Sequence, residues 1–186
     1  MMKNPKRCAY VNMGNPLYIR YHDEEWGVPE HSDQKLFEML LLECFQAGLS
    51  WECVLNKREA FRTAFDHFDA DKIACYGEEK IQQLMNNPAI IRNRLKIKPS
   101  ITNAIVFKQI QAEYDSFDAY IWGYTNGETI IEEYTVRTTS PLSDRISKDL
   151  KKRGMKFVGS TIIYSYLQAI GILNAHGKEC DWYKHN

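Results

Sequence analysis

Of the five cysteines and five histidines in this 186-residue chain, four stand in two pairs at its opposite ends: Cys8 with His22, and His176 with Cys180. Thiolate and imidazole are the donors that zinc takes in tetrahedral sites. The spacing from His176 to Cys180 lets one helical turn, or a tight loop, aim both side chains at a single ion. The spacing from Cys8 to His22 requires the chain to fold back on itself. If all four converge, a metal joins the two termini, and most other ways of arranging the chain are closed off. The competing reading is two ordinary thiols and two surface imidazoles, and spacing alone leaves both open.

A chain of this length builds one domain or two small lobes, with enough interior for a real core. Its 44% apolar and 12% aromatic content reads as globular. No apolar run approaches the roughly 18 residues of a membrane-crossing helix, and the opening Met1–Arg7 lacks the apolar stretch of a signal peptide. An odd cysteine count without a secretion signal argues for reduced thiols in a cytoplasmic chain, where structural zinc is a better expectation than disulfides. The formal net charge is zero, so bulk electrostatics give a polyanion partner no support. A case for nucleic acid must rest on local patches.

Helical signals run along nearly the whole chain, without an internal repeat, a low-complexity tract or a long linker. Ser32 and Asp33 are placed to cap a helix that runs to about Ala47, with Gly48 at its stop. Ser50 caps the next, through Phe65, and Asp69 caps a short one ending near Gly77. Helical stretches are expected over 78–86, 88–97 and 99–114. Ser116 starts a helix through Trp122, Ser143 one through Arg153, and Gly159 precedes one to about Gly171. The one extended candidate, Thr129–Val136, is rich in β-branched residues but isolated, and an isolated strand builds no sheet. The expected fold class is all-α.

One residue breaks the helical pattern. On a wheel of about 100° per residue, Leu36, Met39, Leu40 and Ala47 form an apolar stripe, and Glu43 falls in its middle. The opposite face carries Gln34, Lys35, Glu38 and Gln46. A carboxylate in a core costs several kcal/mol unless it is paired or hydrogen-bonded, and such groups concentrate where chemistry is done. A structural acid paired with a distant base would give the same pattern, as would a helix rotated to bring Glu43 to water. Directly afterwards, Gln46-Ala47-Gly48-Leu49-Ser50-Trp51 reads as a helix stop followed at once by a helix start. That turn projects Leu49 and sets Trp51 near the end of the helix that bears Glu43.

These residues carry a resemblance. Tyr21 through Pro29, then Glu43 with Gln46–Trp51, then Lys151-Lys152-Arg153-Gly154 leading to Lys156–Gly159, resemble in order and spacing the 3-methyladenine DNA glycosylase I family. The match runs from about Arg7 to Cys180. It implies a helix-hairpin-helix DNA glycosylase, all-α, acting as a single unit over residues 1–186. It also implies a zinc site joining the terminal segments 1–30 and 172–186. By that resemblance Cys8, His22, His176 and Cys180 hold one structural zinc per chain. Tyr21 and Trp51 stack on the extruded base, with Tyr18, Trp26 and Tyr10 around it. Glu43 receives the methylated adenine, and Gly48 and Leu49 enter the gap it leaves in the duplex. Gly154, Gly159, Ser160 and Thr161 fall on the second half of the helix-hairpin-helix, whose backbone amides hold a phosphate. The chain departs from the family pattern at Tyr10, where Trp is common, and at Cys44-Phe45, where more polar residues are usual. Leu95 and Pro99 depart too, in the basic stretch Arg92–Lys98.

The implied chemistry suits these residue types. A base within a duplex is out of reach until its nucleotide is extruded, and an apolar wedge on a tight turn fills the vacancy. Methylation at N3 makes adenine cationic in DNA, and electron-rich rings favour a cation over their faces. The alkylated base is already a good leaving group, so hydrolysis needs no powerful acid, and no lysine is singled out as a nucleophile for strand cleavage. The expected partner is alkylated double-stranded DNA, with no membrane and no obligate protein partner, and the expected state is a monomer. The basic clusters Arg92/Arg94/Lys96/Lys98 and Lys148/Lys151/Lys152/Arg153/Lys156 are either solvated helix faces or phosphate contacts. Two rivals stand beside this reading. His22-Asp23-Glu24 contains the H-x-E of zinc deaminases, although no C-x-x-C follows and four protein ligands would close the metal. A non-catalytic module that binds damaged DNA would share the wedge and the hairpin.

Overall fold

The computed structural model describes residues 5–132 and 137–183. Among them the chain forms α1 (Pro16–Glu24), α2 (Asp33–Gln46), α3 (Trp51–Leu55), α4 (Arg58–Ala64), α5 (Ala70–Ala74) and α6 (Glu78–Asn86). These are followed by α7 (Arg94–Tyr114), α8 (Phe117–Trp122), α9 (Pro141–Arg153) and α10 (Ser160–Ala169). The fold is mostly helical, as expected. One feature corrects that expectation: Ile130–Ile131 (β1) is not isolated but pairs in parallel with Leu173–Asn174 (β2). The partner segment follows α10 and carries no strand signal of its own. The end of the extended candidate, residues 133–136, lies outside the described residues.

Helix α2 is the axis of the molecule. It packs against α3, α7, α8 and α10, and every residue from Leu36 to Phe45 is buried. The expected single apolar stripe is therefore an underestimate. Even Glu38, assigned to the wet face, is buried, held by Arg58 Nε at 2.5 Å and an Arg62 terminal nitrogen at 2.8 Å. A carboxylate so enclosed needs such cationic partners to offset its desolvation.

Several helix boundaries differ for identifiable reasons. Ser32 makes no side-chain cap. The Asp33 carboxylate turns away from its own helix and accepts from the backbone N–H groups of Phe117 (2.9 Å) and Asp118 (2.8 Å) at the start of α8. The helix expected from Ser50 to Phe65 is broken into α3 and α4 at Asn56–Lys57. The stretch 88–93 is not helical. Asn93 caps α7 instead, with its side chain accepting from Leu95 N–H, and the helix passes through Pro99. Pro99 removes only the donor for the Leu95 carbonyl, and Leu95 is 76% exposed, so water can serve that group. Helix α9 starts one turn before Ser143, because Ser140 is its cap. Ser143 is the reciprocal member of the capping box, at 3.1 Å and 2.8 Å. Helix α1 was not expected at all, although Asn15 caps it and Pro16 occupies its first position.

The two terminal segments meet. Gly27 N–H donates to Gln168 O (2.9 Å), Glu30 N–H to Ile170 O (3.0 Å) and Asp181 N–H to Lys6 O (2.9 Å). Gly171, at φ +76°, leaves no room for a side chain, since a Cβ there would lie 2.3 Å from the Val28 carbonyl carbon. This close approach fastens the loop after α1 to the end of α10.

Candidate functional site

Six parts of the chain converge on one cavity of about 180 Å3. Helix α1 contributes Tyr18 and Tyr21, α2 contributes Glu43 and Gln46, and α3 contributes Trp51. Tyr10 and Trp26 come from the segments flanking α1, and Ser165 and Gln168 from α10. The Tyr21 and Trp51 rings lie 5.1 Å apart at 45°, and Tyr10 meets Trp26 edge-on at 5.3 Å. All six aromatic or acidic residues expected around a base, Tyr10, Tyr18, Tyr21, Trp26, Glu43 and Trp51, are thus brought together. Ser165 and Gln168 escaped the sequence reading. Their signal was the one that exposed Glu43, polar residues interrupting an otherwise apolar helix at a spacing that shares one face.

Glu43 is 2% exposed, and its Oε2 has no hydrogen-bond partner. Trp51 Nε1 is likewise buried without a partner. Among the described residues Glu43 has no basic partner, and it is turned away from bulk solvent. Burial alone pushes its carboxyl up to about 8, which favours the protonated acid over the carboxylate. Burial and then the Glu43 charge drive the Tyr21 phenol well above its ordinary range. A buried orphan polar atom is costly, and native structures keep one mainly where something else will satisfy it. Surface hollows of about 230 Å3 and about 500 Å3 exist elsewhere, but neither is lined by Glu43 or Trp51.

At the rim of this cavity the chain turns at Gly48, which takes φ +77°, and presents Leu49, 42% exposed. Ser50 then caps α3 by accepting from Cys53 N–H at 3.2 Å. A buried lysine secures the turn: Lys96 Nζ donates to Phe45 O (2.8 Å) and Ala47 O (2.5 Å). Lys96 was expected on a basic face. It is instead spent inside the fold, and its desolvation lowers its pKa.

Helices α9 and α10 are joined by a hairpin, with Gly154 at φ +105° ending α9 and Gly159 preceding α10. No side chain caps α10, so the first-turn amides of Ser160 and Thr161 remain a positive N-terminal pole. The Ser160 hydroxyl itself faces inward, 2.8 Å from Ser143 Oγ. Lys148, Lys151, Lys152 and Lys156 are exposed around this hairpin. Arg153 leaves the basic cluster, since Asp149 (2.7 Å) and Glu113 (2.5 Å) hold it. Arg94 is similarly paired with Glu78.

A second constellation lies directly behind the pocket. The donor atoms of Cys8, His22, His176 and Cys180, all buried, lie within 4.8 Å of one another. Cys8 Sγ is 3.5 Å from His176 Nδ1, and Cys180 Sγ is 3.6 Å from His22 Nε2 and 3.5 Å from His176 Nδ1. Zinc bonds of about 2.3 Å to sulfur and about 2.0–2.1 Å to nitrogen, at tetrahedral angles, put such pairs about 3.5–3.6 Å apart. The outer nitrogens are engaged as such a site requires. His22 Nδ1 faces Asp23 Oδ1 at 2.8 Å, Asp23 is clamped by Arg7 at 2.6 Å, and His176 Nε2 donates to Trp26 O at 3.1 Å. The inner nitrogens are therefore left as lone-pair donors.

The chain matches the Methyladenine glycosylase family over residues 11–184. The chain belongs to that family. A curated relative, DNA-3-methyladenine glycosylase 1 of Escherichia coli strain K12, is 45% identical over 185 residues, covering 97% of this chain and 98% of the relative. DNA-3-methyladenine glycosylase of Haemophilus influenzae is 40% identical over 178 residues, 94% of this chain and 96% of its own length. A crystal structure of 3-methyladenine DNA glycosylase I superposes with a TM-score of 0.92 at 45% identity, covering 96% of this chain and 100% of that one. A variant of 3-methyladenine DNA glycosylase I solved in complex with 3-methyladenine gives a TM-score of 0.91 at 36% identity, over 97% and 99% of the two chains. The family match thus covers nearly the whole chain, with Cys8 and Tyr10 lying just before its first matched residue.

Proposed function

We propose that this chain is a cytoplasmic DNA-repair enzyme that flips 3-methyladenine out of alkylated double-stranded DNA and hydrolyses its glycosidic bond without cutting the strand. The observation that carries the reading is the pair of orphaned buried atoms, Glu43 Oε2 and Trp51 Nε1, opening into an aromatic-walled cavity with room for a planar bicyclic base. Similarity to relatives named for this activity supports it.

In this reading Tyr21 and Trp51 stack on the flipped base, with Tyr10, Tyr18 and Trp26 closing the pocket edge. A cation arriving beside Glu43 reverses the balance that keeps the acid protonated, since an opposite charge at contact distance favours the carboxylate. Glu43 releases its proton to solvent, and the carboxylate then accepts from the base and offsets its charge. Water adds to the sugar C1′ and the C1′–N9 bond breaks. Its electron pair stays on the departing base, which leaves neutral, and the water proton passes to solvent. Leu49 on the Gly48 turn occupies the vacated stack, while Gly154, Gly159, Ser160 and Thr161 form the half of a helix-hairpin-helix that holds a phosphate. The donor set and its spacing support one structural zinc on Cys8, His22, His176 and Cys180. Four protein donors leave no open coordination position, which disfavours a deaminase. The chain is proposed to act as a single unit and a monomer. No described helix is long and apolar enough to cross a membrane.

The direct test is incubation with methylated duplex DNA, followed by chromatography for free 3-methyladenine. No release at stoichiometric protein would sink the enzyme reading. Trp51→Ala removes one stacking wall and an orphaned donor, and should weaken binding of the free base by about 5–150-fold, from a stacking contribution of about 1–3 kcal/mol. Tryptophan fluorescence quenching by 3-methyladenine can follow it, and unchanged affinity would place the base elsewhere.

A further inference from the structure

Two parts of the proposed DNA-binding edge must keep register with each other: the Gly48–Leu49 turn and the hairpin between α9 and α10. Both are fastened to the same helix. Lys96, on the first turn of α7, donates to the carbonyls of Phe45 and Ala47, the residues just before the turn. Asn103, also on α7, grips the hairpin backbone from both sides. Its Nδ2 donates to Lys156 O (3.0 Å) and its Oδ1 accepts from Lys156 N–H (2.8 Å). Lys96 and Asn103 are seven residues apart, two helical turns, and so share a face, with about 10.5 Å of axial rise between them. Both residues are buried, and neither lines the base cavity.

Burying an ammonium is expensive, and an apolar side chain would fill the same space at lower cost. What the lysine supplies is a fixed partner for carbonyls at the C-terminal end of α2, which a helix leaves without donors. Those carbonyls set the direction in which the chain enters the Gly48 turn. From this we infer that Lys96 and Asn103 are positioning residues for duplex engagement. They make α7 a spacer that holds the Leu49 wedge at a set distance from the phosphate-holding hairpin. The inference rests on the DNA-glycosylase reading and adds to it the means by which insertion and backbone grip keep a fixed spacing.

The test compares wild type with Lys96→Met, Asn103→Ala, Leu49→Ala and the double variant Leu49→Ala/Lys96→Met. Free 3-methyladenine binding, duplex binding and excision kinetics are measured on each full-length protein. The expected result for Lys96→Met and Asn103→Ala is free-base affinity within about twofold of wild type. The KM for methylated duplex should rise about 10–100-fold, the scale on which a misplacement of about 1 Å acts. The double variant should be no worse than Leu49→Ala alone, because a misdirected wedge and a missing one are the same defect. Any of several results would overturn the inference: wild-type duplex KM in both single variants, parallel losses of base and duplex affinity, or losses that multiply in the double variant. Unfolding of both single variants would overturn it as well, since the contacts would then hold the fold rather than register two of its parts. If wild type binds duplex but releases no base, the glycosylase reading fails on its own, while the duplex affinities still read the spacer.

Discussion

Glu43→Gln should slow release of 3-methyladenine from methylated duplex on the order of 100-fold, leave duplex affinity within about twofold, and make the folded chain more stable in alkaline solution. The rate falls because an amide of the same shape can still meet the base but brings no charge to offset the cation. Duplex affinity survives because the groups proposed to hold the backbone, on the α9–α10 hairpin, lie in other elements. Stability moves the opposite way. Burial raises the folded-state pKa of Glu43 from the ordinary carboxylate range to about 8. The folded chain therefore binds this proton more tightly than the unfolded chain does. The stability associated with the protonated group is fully present below the unfolded pKa and is lost as pH rises through the folded one. The glutamine has no proton to lose. The stability advantage of Glu43→Gln should therefore grow from about pH 4.5 to about pH 8 and level off above it, by several kcal/mol for a fully buried group. Paired urea titrations of the two proteins across that range cancel the titrations they share. A flat difference would mean that Glu43 is solvated or paired in solution. An undiminished excision rate would transfer the chemistry to another residue.

The sequence exposed Glu43 because one carboxylate interrupted an apolar periodicity, a signal that needs no knowledge of the neighbouring elements. The Cys/His pairs were legible for a similar reason: rare residue types stood at both ends of the chain. Helix existence was also largely readable from caps, and Asp69, Ser116 and Gly159 all stand where helices begin. What escaped was decided by tertiary partners. Asp33 looks like a cap for its own helix and serves α8 instead, because the nearest unsatisfied amides in space belong to Phe117 and Asp118. Glu38 looks like a surface residue until Arg58 and Arg62 arrive from α4. Lys96 sits in a run of basic residues and reads as one more solvated charge, yet its partners are carbonyls about fifty residues earlier. The roles of individual pocket residues came from the resemblance rather than from periodicity. Composition alone would have left Tyr21, Trp51 and Leu49 as ordinary core residues.

Removing the proposed zinc should produce the largest loss of stability of any single intervention, and it should damage the base pocket without touching a residue that lines it. Cys8 and His22 belong to the N-terminal segment and its first helix, while His176 and Cys180 follow β2, so an ion on all four ties parts of the chain more than 150 residues apart. An ion that binds only the folded chain stabilises it by about 4 kcal/mol when present at a thousandfold above its dissociation constant. Its removal also leaves two thiols and two imidazoles enclosed without their partner. The consequence for the pocket follows from sequence adjacency. His22 succeeds Tyr21, and Trp26 accepts from His176 Nε2 at 3.1 Å, so one side of the cavity is carried by residues that the metal would grip directly or through one hydrogen bond. A purified preparation should contain close to one zinc per chain by metal analysis. Chelation, or Cys180→Ala, should lower the unfolding midpoint and weaken free 3-methyladenine binding in step, while Trp51→Ala should weaken base binding with little change in the midpoint. The contrast between these two variants separates a brace from a contact. A chain that is metal-free yet unfolds at the same denaturant concentration with and without chelator would show that hydrogen bonds between the terminal segments suffice, and the zinc assignment would fall.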